Sequence, residues 1–267
     1  MHVRSWVSRA AVAVVCLSMA APLVAQSTPE APYQPSVGQP GKDVVWVPTS
    51  DVLVQKMLDM ASVKAGDYVI DLGSGDGRTV IAAAKRGATA MGIEYNPDMV
   101  ELSKRNAQAA GVNVTFVKAD LFETDLSKAS VITMFLLPSI NLQLRPKLLD
   151  LAPGTRIVSN SFSMEDWEPD QEATVSGECT SWCTALFWIV PAKVEGTWQM
   201  PAGVLTLRQE FQNVYGTLGT TEIMNGRLRG DTLTFTAGGT SYSAKVSGST
   251  MTGAGGRGGT WTARRDR

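Results

Sequence analysis

Histidine is nearly missing: the 267 residues contain one, His2. Cysteine is scarce too, at three: Cys16, Cys179 and Cys183. No apolar run reaches the roughly 20 residues a helix needs to cross a bilayer. Positive charge is not in excess, with 24 Lys and Arg against 25 Asp and Glu. The N-terminus sharpens these shortages. Arg4 and Arg9 precede an apolar core from Ala10 to Ala21, and Leu23-Val24-Ala25 ends on a small residue. That is the pattern of a secretory signal peptide over residues 1–25. An uncleaved anchor is the alternative, but the core is short for it, and with Arg4 and Arg9 held inside the rest would still lie outside. Cys16 lacks the preceding small residues of a lipoprotein signal.

Cleavage removes His2 and Cys16, two basic residues and no acid. Without imidazole, Ser-His-Asp and Cys-His mechanisms are excluded, and no metal site is expected. Without a basic excess, no nucleic-acid partner is expected. The expected location is outside the cytoplasm, periplasmic or secreted, with no membrane span once the signal is gone. There Cys179 and Cys183 can pair across a small loop; two free thiols beside a hairpin is the other reading.

What the chain has is the stretch Tyr68–Lys85, YVIDLGSGDGRTVIAAAK. Tyr68, Val69, Ile70 and Leu72 form an apolar, β-branched run suited to a buried parallel strand. Gly73-Ser74-Gly75-Asp76-Gly77 breaks it, and from Arg78 the apolar residues recur at helical spacing. Glycines permit positive φ and close approach of a ligand to backbone, and free N–H groups at the helix start favour an anion. The spacing is G-x-G-x-G rather than the dinucleotide G-x-G-x-x-G. Asp71 and Asp76 would repel a phosphate-rich ligand and attract one with a positive centre. S-adenosylmethionine (SAM) has a carboxylate for the helix start and a sulfonium for the acids.

VIDLGSGDGR resembles the first motif of class I SAM-dependent methyltransferases, with strand, glycines, both acids and helix in order. The resemblance implies cofactor contacts from Asp71, Gly73, Ser74, Gly75, Asp76 and Gly77. Glu94 lies about 20 residues beyond the glycines, at the next strand end, placed to accept from a ribose diol; a solvated strand end is the bland reading. Asp120 ends the third strand, where the family's acid faces the adenine amino group; otherwise it caps a turn.

The remaining chain supports the same architecture. Residues 26–43, with Pro29, Pro32, Pro35 and Pro40, read as an extended linker without core. Ser50 or Asp51 can cap a helix to about Val63. Strands are expected over Ala88–Tyr95, Asn113–Ala119, Val131–Leu137 and Thr155–Asn160, with helices opened by Pro97 and Pro138. Glu172–Ser176 and Ala185–Val190 read as a closing antiparallel pair. Alternating strands and helices mean a sheet covered on both faces. The expected fold is α/β, a Rossmann-like seven-stranded methyltransferase sheet over residues 44–192. From Lys193 to the end, short strands separated by Gly turns predict a small antiparallel β sandwich or barrel over 193–267. Gly196-Thr197-Trp198 and Gly259-Thr260-Trp261 stand where first and last strands would meet, and both tryptophans read as core.

Methyl transfer from a sulfonium needs alignment and desolvation more than a strong base, so the missing histidine does not oppose it. The fourth strand end, Met134-Phe135-Leu136-Leu137-Pro138, lacks the N-P-P-Y or D-P-P-Y of adenine and glutamine-amide methyltransferases. VPTSDVLVQKML, GIEYNPDMV and ADLFETDLSKASVITMFLLP are instead similar to the ATP synthase c-subunit lysine methyltransferases and their exported bacterial relatives. More distantly they resemble the non-SET histone lysine methyltransferases. That likeness implies a protein lysine as acceptor, cofactor contacts from Val47, Pro48 and Thr49, and an acceptor site at Phe135–Pro138 and Asn160. No residue is assigned as a catalytic base. Two functions stay open: a SAM-dependent methyltransferase, and an exported binding module that keeps the fold without turnover. All five of Asp71, Gly73, Gly75, Asp76 and Glu94 being present favours the first.

Overall fold

The structure is a computed structural model that describes residues 1–2, 33–255 and 259–266. The signal-peptide reading and the first part of the Pro-rich stretch lie outside the described residues. From Tyr33 onward the chain forms one unit.

The sheet is built from β1 (Tyr68–Leu72), β2 (Thr89–Glu94), β3 (Thr115–Lys118), β4 (Val131–Met134), β5 (Arg156–Asn160), β6 (Gln171–Thr174) and β7 (Thr184–Ile189). Their order is β3-β2-β1-β4-β5-β7-β6. The first five are parallel, while β7 runs antiparallel to both β5 and β6. Side chains alternate across the sheet as the two-residue period requires. Val69, Val131, Val158 and Phe187 join the core under helices α1 (Asp51–Met60), α2 (Arg78–Lys85) and α3 (Pro97–Ala109). Ile70, Ile132, Ile157 and Trp188 join the opposite core with Leu144 and Leu148 of α4 (Pro138–Leu149).

Most strand ends differ from expectation by one or two residues, and two larger differences have a local cause. Helix α1 stops at Met60 because Ser62 takes a left-handed φ of 49°, and the Val63 N–H turns back to the Leu58 carbonyl. That is a Schellman-type stop with Ser in place of Gly. Ser50 is its N-cap by position only: the hydroxyl is buried and makes no cap bond. Strand β4, expected to reach Leu137, ends at Met134, paired with Leu72 on one side and Ser159 on the other. Beyond them β1 has entered the glycine turn, so Phe135–Leu137 have no ladder to extend and leave the sheet.

The stretch expected to be a structureless linker also differs. Its described part bends at Gly38, forms a bridge from Pro40 to Val45, and folds over the carboxyl edge of the sheet.

After Ile189 the chain enters a closed eight-stranded antiparallel barrel: β8 (Gly196–Met200), β9 (Gly203–Glu210), β10 (Asn213–Leu218), β11 (Thr221–Arg229), β12 (Thr232–Ala237), β13 (Thr240–Ser247), β14 (Thr250–Gly255) and β15 (Gly259–Arg265). β15 pairs with β8 through Arg264↔Gln199 and Arg265↔Trp198, closing it as the two Gly-Thr-Trp sequences suggest. Trp198 and Trp261 are core residues among Leu205, Leu228, Phe235 and Met251. The barrel rests on the sheet through Phe211 stacked on Trp167, Gln212 Nε2 donating to the Glu168 carbonyl, and Arg227 paired with the buried Asp170 carboxylate.

Candidate active site

Because five strands are parallel, their carboxyl ends share one edge, where ligands of open α/β sheets bind. A cavity of about 540 Å³ opens there, within the range of small-molecule sites. Gly73, Gly75 and Gly77, at φ 74°, 53° and 83°, turn the chain from β1 into α2. Asn106 of α3 fastens this turn, its side-chain amide donating to the Asp76 carbonyl at 2.9 Å.

Asp71 is the most perturbed acid. It is buried, accepts from Thr133 Oγ1 at 2.6 Å, and its pKa rises from 3.8 to about 7. Burial is the main cause, opposed by the Thr133 hydrogen bond and reinforced by the charges of Asp76 and Glu94. Glu94 Oε2 accepts from the Gly75 N–H at 3.0 Å and Oε1 from the Asn96 N–H at 2.9 Å. A carboxylate has about four acceptor positions, so Glu94 keeps capacity for a diol.

Two expectations need correction. The amides of the glycine turn are not a free anion cradle: Gly75 donates to Glu94, Gly77 to the Ser74 carbonyl and Arg78 to Asp76 Oδ1. Asp76 is not an open carboxylate either. Arg78 grips it through Nε and Nη2, the latter at 2.7 Å, while Nη1 reaches the Thr49 carbonyl at 2.9 Å. The Ser74 hydroxyl is buried without a partner and packs on Gly92, where a Cβ would come within 2.6 Å of it.

Asp120 lies at the same edge, paired with Lys42 at 2.7 Å and capping the Phe122 N–H at 2.9 Å. The Lys42 hydrogen bond holds its carboxyl below the usual range. Lys42 belongs to the cover, residues Gln39–Thr49, which lines one whole side of the cavity. Trp46 lies so close over Gly75 that a Cβ there would stand 2.8 Å from its indole Nε1. The cover is tied down at its far end by Asn160 Nδ2, 3.2 Å from Thr49 Oγ1. Val47, Pro48, Thr49, Phe135, Leu136 and Leu137 line the cavity; Pro138 and Asn160 do not.

Sequence reasoning missed Trp46, Lys42, Arg78, Thr133, Phe162 and Trp182. Thr133 had a signal, a hydroxyl inside the apolar run of β4, directly opposite Asp71 in register. Trp46 had a weaker one, a large aromatic in a run that follows Pro-rich chain.

The pocket suits a nucleoside carrying a positive centre. Among the described residues Asp71 and Glu94 have no cationic partner, and Asp71 is poised to ionise beside a cationic ligand, next to apolar walls from Ile93, Met99 and Leu121. Seven strands in this order, with the reversed one inserted between the fifth and sixth, are the architecture of the class I SAM-dependent methyltransferases.

Similarity to known proteins agrees. Residues 71–171 match the family described as the ANTKMT methyltransferase domain. A protein-lysine N-methyltransferase of Saccharolobus islandicus (strain REY15A) is 43% identical over 133 residues, 48% of this chain and 83% of that protein. The ATP synthase C-subunit lysine N-methyltransferase of Homo sapiens is 37% identical over 140 residues, 51% of this chain and 59% of that protein. The chain thus spans less than two thirds of the human relative's length. An RNA methyltransferase from Salinibacter ruber, solved in complex with S-adenosyl-L-homocysteine, aligns at a TM-score of 0.52 and 45% identity over 55% of this chain and 96% of that one. The chain belongs to the methyltransferase family of the Saccharolobus islandicus protein, and SAM is its cofactor.

Proposed function

We propose that the chain is an exported SAM-dependent methyltransferase whose acceptor is a lysine of a protein. One observation carries the site reading: a single cavity is lined both by the acids Asp71 and Glu94 and by the aromatic rings of Phe135, Phe162 and Trp182. The lysine methyltransferases among its relatives support the acceptor class. The basic start and apolar core of residues 1–25 support export, and the Cys179–Cys183 disulfide is consistent with an oxidising compartment.

SAM supplies a methyl group already activated on a sulfonium. Glu94, in this reading, takes the ribose diol while bracing the Gly75 amide. Asp120 takes the adenine amino group. Asp71 offers negative charge beneath a cationic ligand. Asp71, Gly73, Ser74, Gly75, Asp76, Gly77, Glu94 and Asp120 are the cofactor-binding set, with Asp76 acting through Arg78 and Ser74 through its backbone. Trp46, Val47 and Pro48 exclude water, which strengthens each of these interactions. Catalysis then comes from alignment, with no side chain assigned as base.

The test is mass spectrometry of extracts from outside the cytoplasm, incubated with SAM with and without the purified protein. Lysine peptides heavier by one methylene unit are the expected result. Saturable SAM binding without any such peptide would leave the binding module as the correct description.

A further inference from the structure

We propose that Phe135, Phe162 and Trp182 form a collar at the cavity mouth that receives an alkylammonium side chain, and that the Cys179–Cys183 disulfide positions its outer wall. The inference rests on the reading of this site as a methyltransferase of an amine, and it adds the subsite that admits the acceptor.

The three rings come from three loops. Phe135 follows β4, Phe162 follows β5, and Trp182 precedes β7. Phe135 stacks on Phe162 with centroids 5.9 Å apart, and Trp182 tilts against Phe135 at 6.0 Å. Trp182 reaches this edge only because β7 runs antiparallel to β5, which puts its beginning level with the ends of β4 and β5.

Ordinary core packing does not account for Trp182. It is 44% exposed, whereas Trp167, Trp188 and Trp198 are fully buried. Yet its backbone is held in the left-handed region at φ 52°, which an exposed, bulky residue rarely adopts unaided. The disulfide closes a five-residue ring around it, from Cys179 to Cys183. The ring sits on a hairpin tied by the Val175 N–H to the Cys183 carbonyl at 2.9 Å and by Thr174 and Thr184 hydroxyls 3.0 Å apart. The covalent loop therefore fixes an aromatic face at an open mouth rather than filling a core.

The chemistry of the mouth selects a cation carried on a chain. Aromatic faces attract alkylammonium groups. The cavity beyond holds Asp71 and Glu94 without cationic partners. Val45, Tyr95, Leu137 and Trp182 are four of the ten large apolar residues that lie exposed among those described, and all four line this cavity. Apolar exposure gathered at one opening marks a contact surface for a macromolecule, so a side chain presented by a protein fits better than a free amine.

The test uses the full chain saturated with S-adenosylhomocysteine. Nα-acetyl-Nε-trimethyllysine methylamide and its neutral isostere, with carbon in place of the charged nitrogen, are titrated by calorimetry. The ammonium form is expected to bind about tenfold more tightly than the isostere. Trp182→Leu, which keeps apolar bulk without a π face, should erase that preference, and Trp182→Phe should retain most of it. Replacing both Cys179 and Cys183 by Ser should weaken the ammonium form severalfold. In every variant the affinity for S-adenosylhomocysteine should stay unchanged, which also reports an intact fold. Equal binding of both probes to the unmodified protein, or full preference in Trp182→Leu, overturns the collar while leaving the methyltransferase reading intact. No binding of S-adenosylhomocysteine overturns both.

Discussion

Thr133 Oγ1 donates to Asp71 at 2.6 Å from the directly opposing position on the next strand. This bond is the main support for charge on a carboxylate whose pKa stands at about 7. A cationic ligand prefers the ionised form, so its binding is linked to loss of the Asp71 proton. SAM affinity should rise as pH increases through about 7, while S-adenosylhomocysteine, which has no sulfonium, should show little of this rise. Calorimetry of both ligands on either side of neutrality checks it. Asp71→Asn should flatten the SAM profile, and Thr133→Val should move its midpoint upward.

The same shift acts on folding. The Asp71 carboxyl ionises near 3.8 in the unfolded chain but near 7 in the fold. The stability from keeping it protonated is complete below 3.8 and is lost as pH rises through about 7, at most about 4 kcal/mol. The rise in melting temperature given by SAM should therefore grow with pH across this window. A constant rise would show that Asp71 does not sense the ligand.

If Glu94 takes the ribose diol as proposed, Glu94→Ala removes that acceptor together with the brace on the Gly75 amide. Loss of one charged hydrogen bond should weaken SAM by about 1.5–3 kcal/mol. Affinity unchanged by this variant would place the ribose elsewhere.

Asp67 and Arg156 join the start of β1 to β5 by a half-buried ion pair. Burial alone would raise the Asp67 pKa, but Arg156, the Lys64 amide and Ser130 outweigh it and hold the carboxyl below 3.8. Its contribution is present above 3.8 and is lost as pH falls through the lowered folded value. Arg156→Met should cost about 1–3 kcal/mol near neutrality, because it leaves the Asp67 carboxylate without its charged hydrogen-bond donor. The difference from the unmodified protein should shrink in acid, as urea titrations across that range would report.

Export makes its own prediction. Protein recovered from outside the producing cell's cytoplasm should begin at Gln26. It should release no free thiol when labelled in denaturant without reductant. An N-terminal sequence starting at Met1, or two labelled cysteines, would count against export.

Much of this fold could be read from sequence periodicity. The largely apolar runs of β1 and β4, each carrying one polar residue, and the Pro97 and Pro138 starts of α3 and α4, needed no tertiary information. Barrel closure was legible from two repeated tripeptides. The site was less so, because spacing reveals which residues share an edge but not which partners they take. Nothing local says that Asp76 will be claimed by Arg78, two positions on, or that Glu94 will hold the very amide expected to grip a ligand. Trp46 and Lys42 were hidden for another reason. Their segment has no periodicity, and its conformation comes from the surface it covers.

The reversed direction of β7 has a consequence for how such a catalyst can change its clientele. Strands laid the usual way bring only their following loops to the reactive rim. One strand threaded backwards lends the rim its preceding loop as well, so residues 175–183 belong to a different stretch of chain from the residues proposed to hold the methyl donor. A change in that loop therefore offers a route to a different incoming molecule that leaves the glycine turn and the end of β2 untouched in sequence.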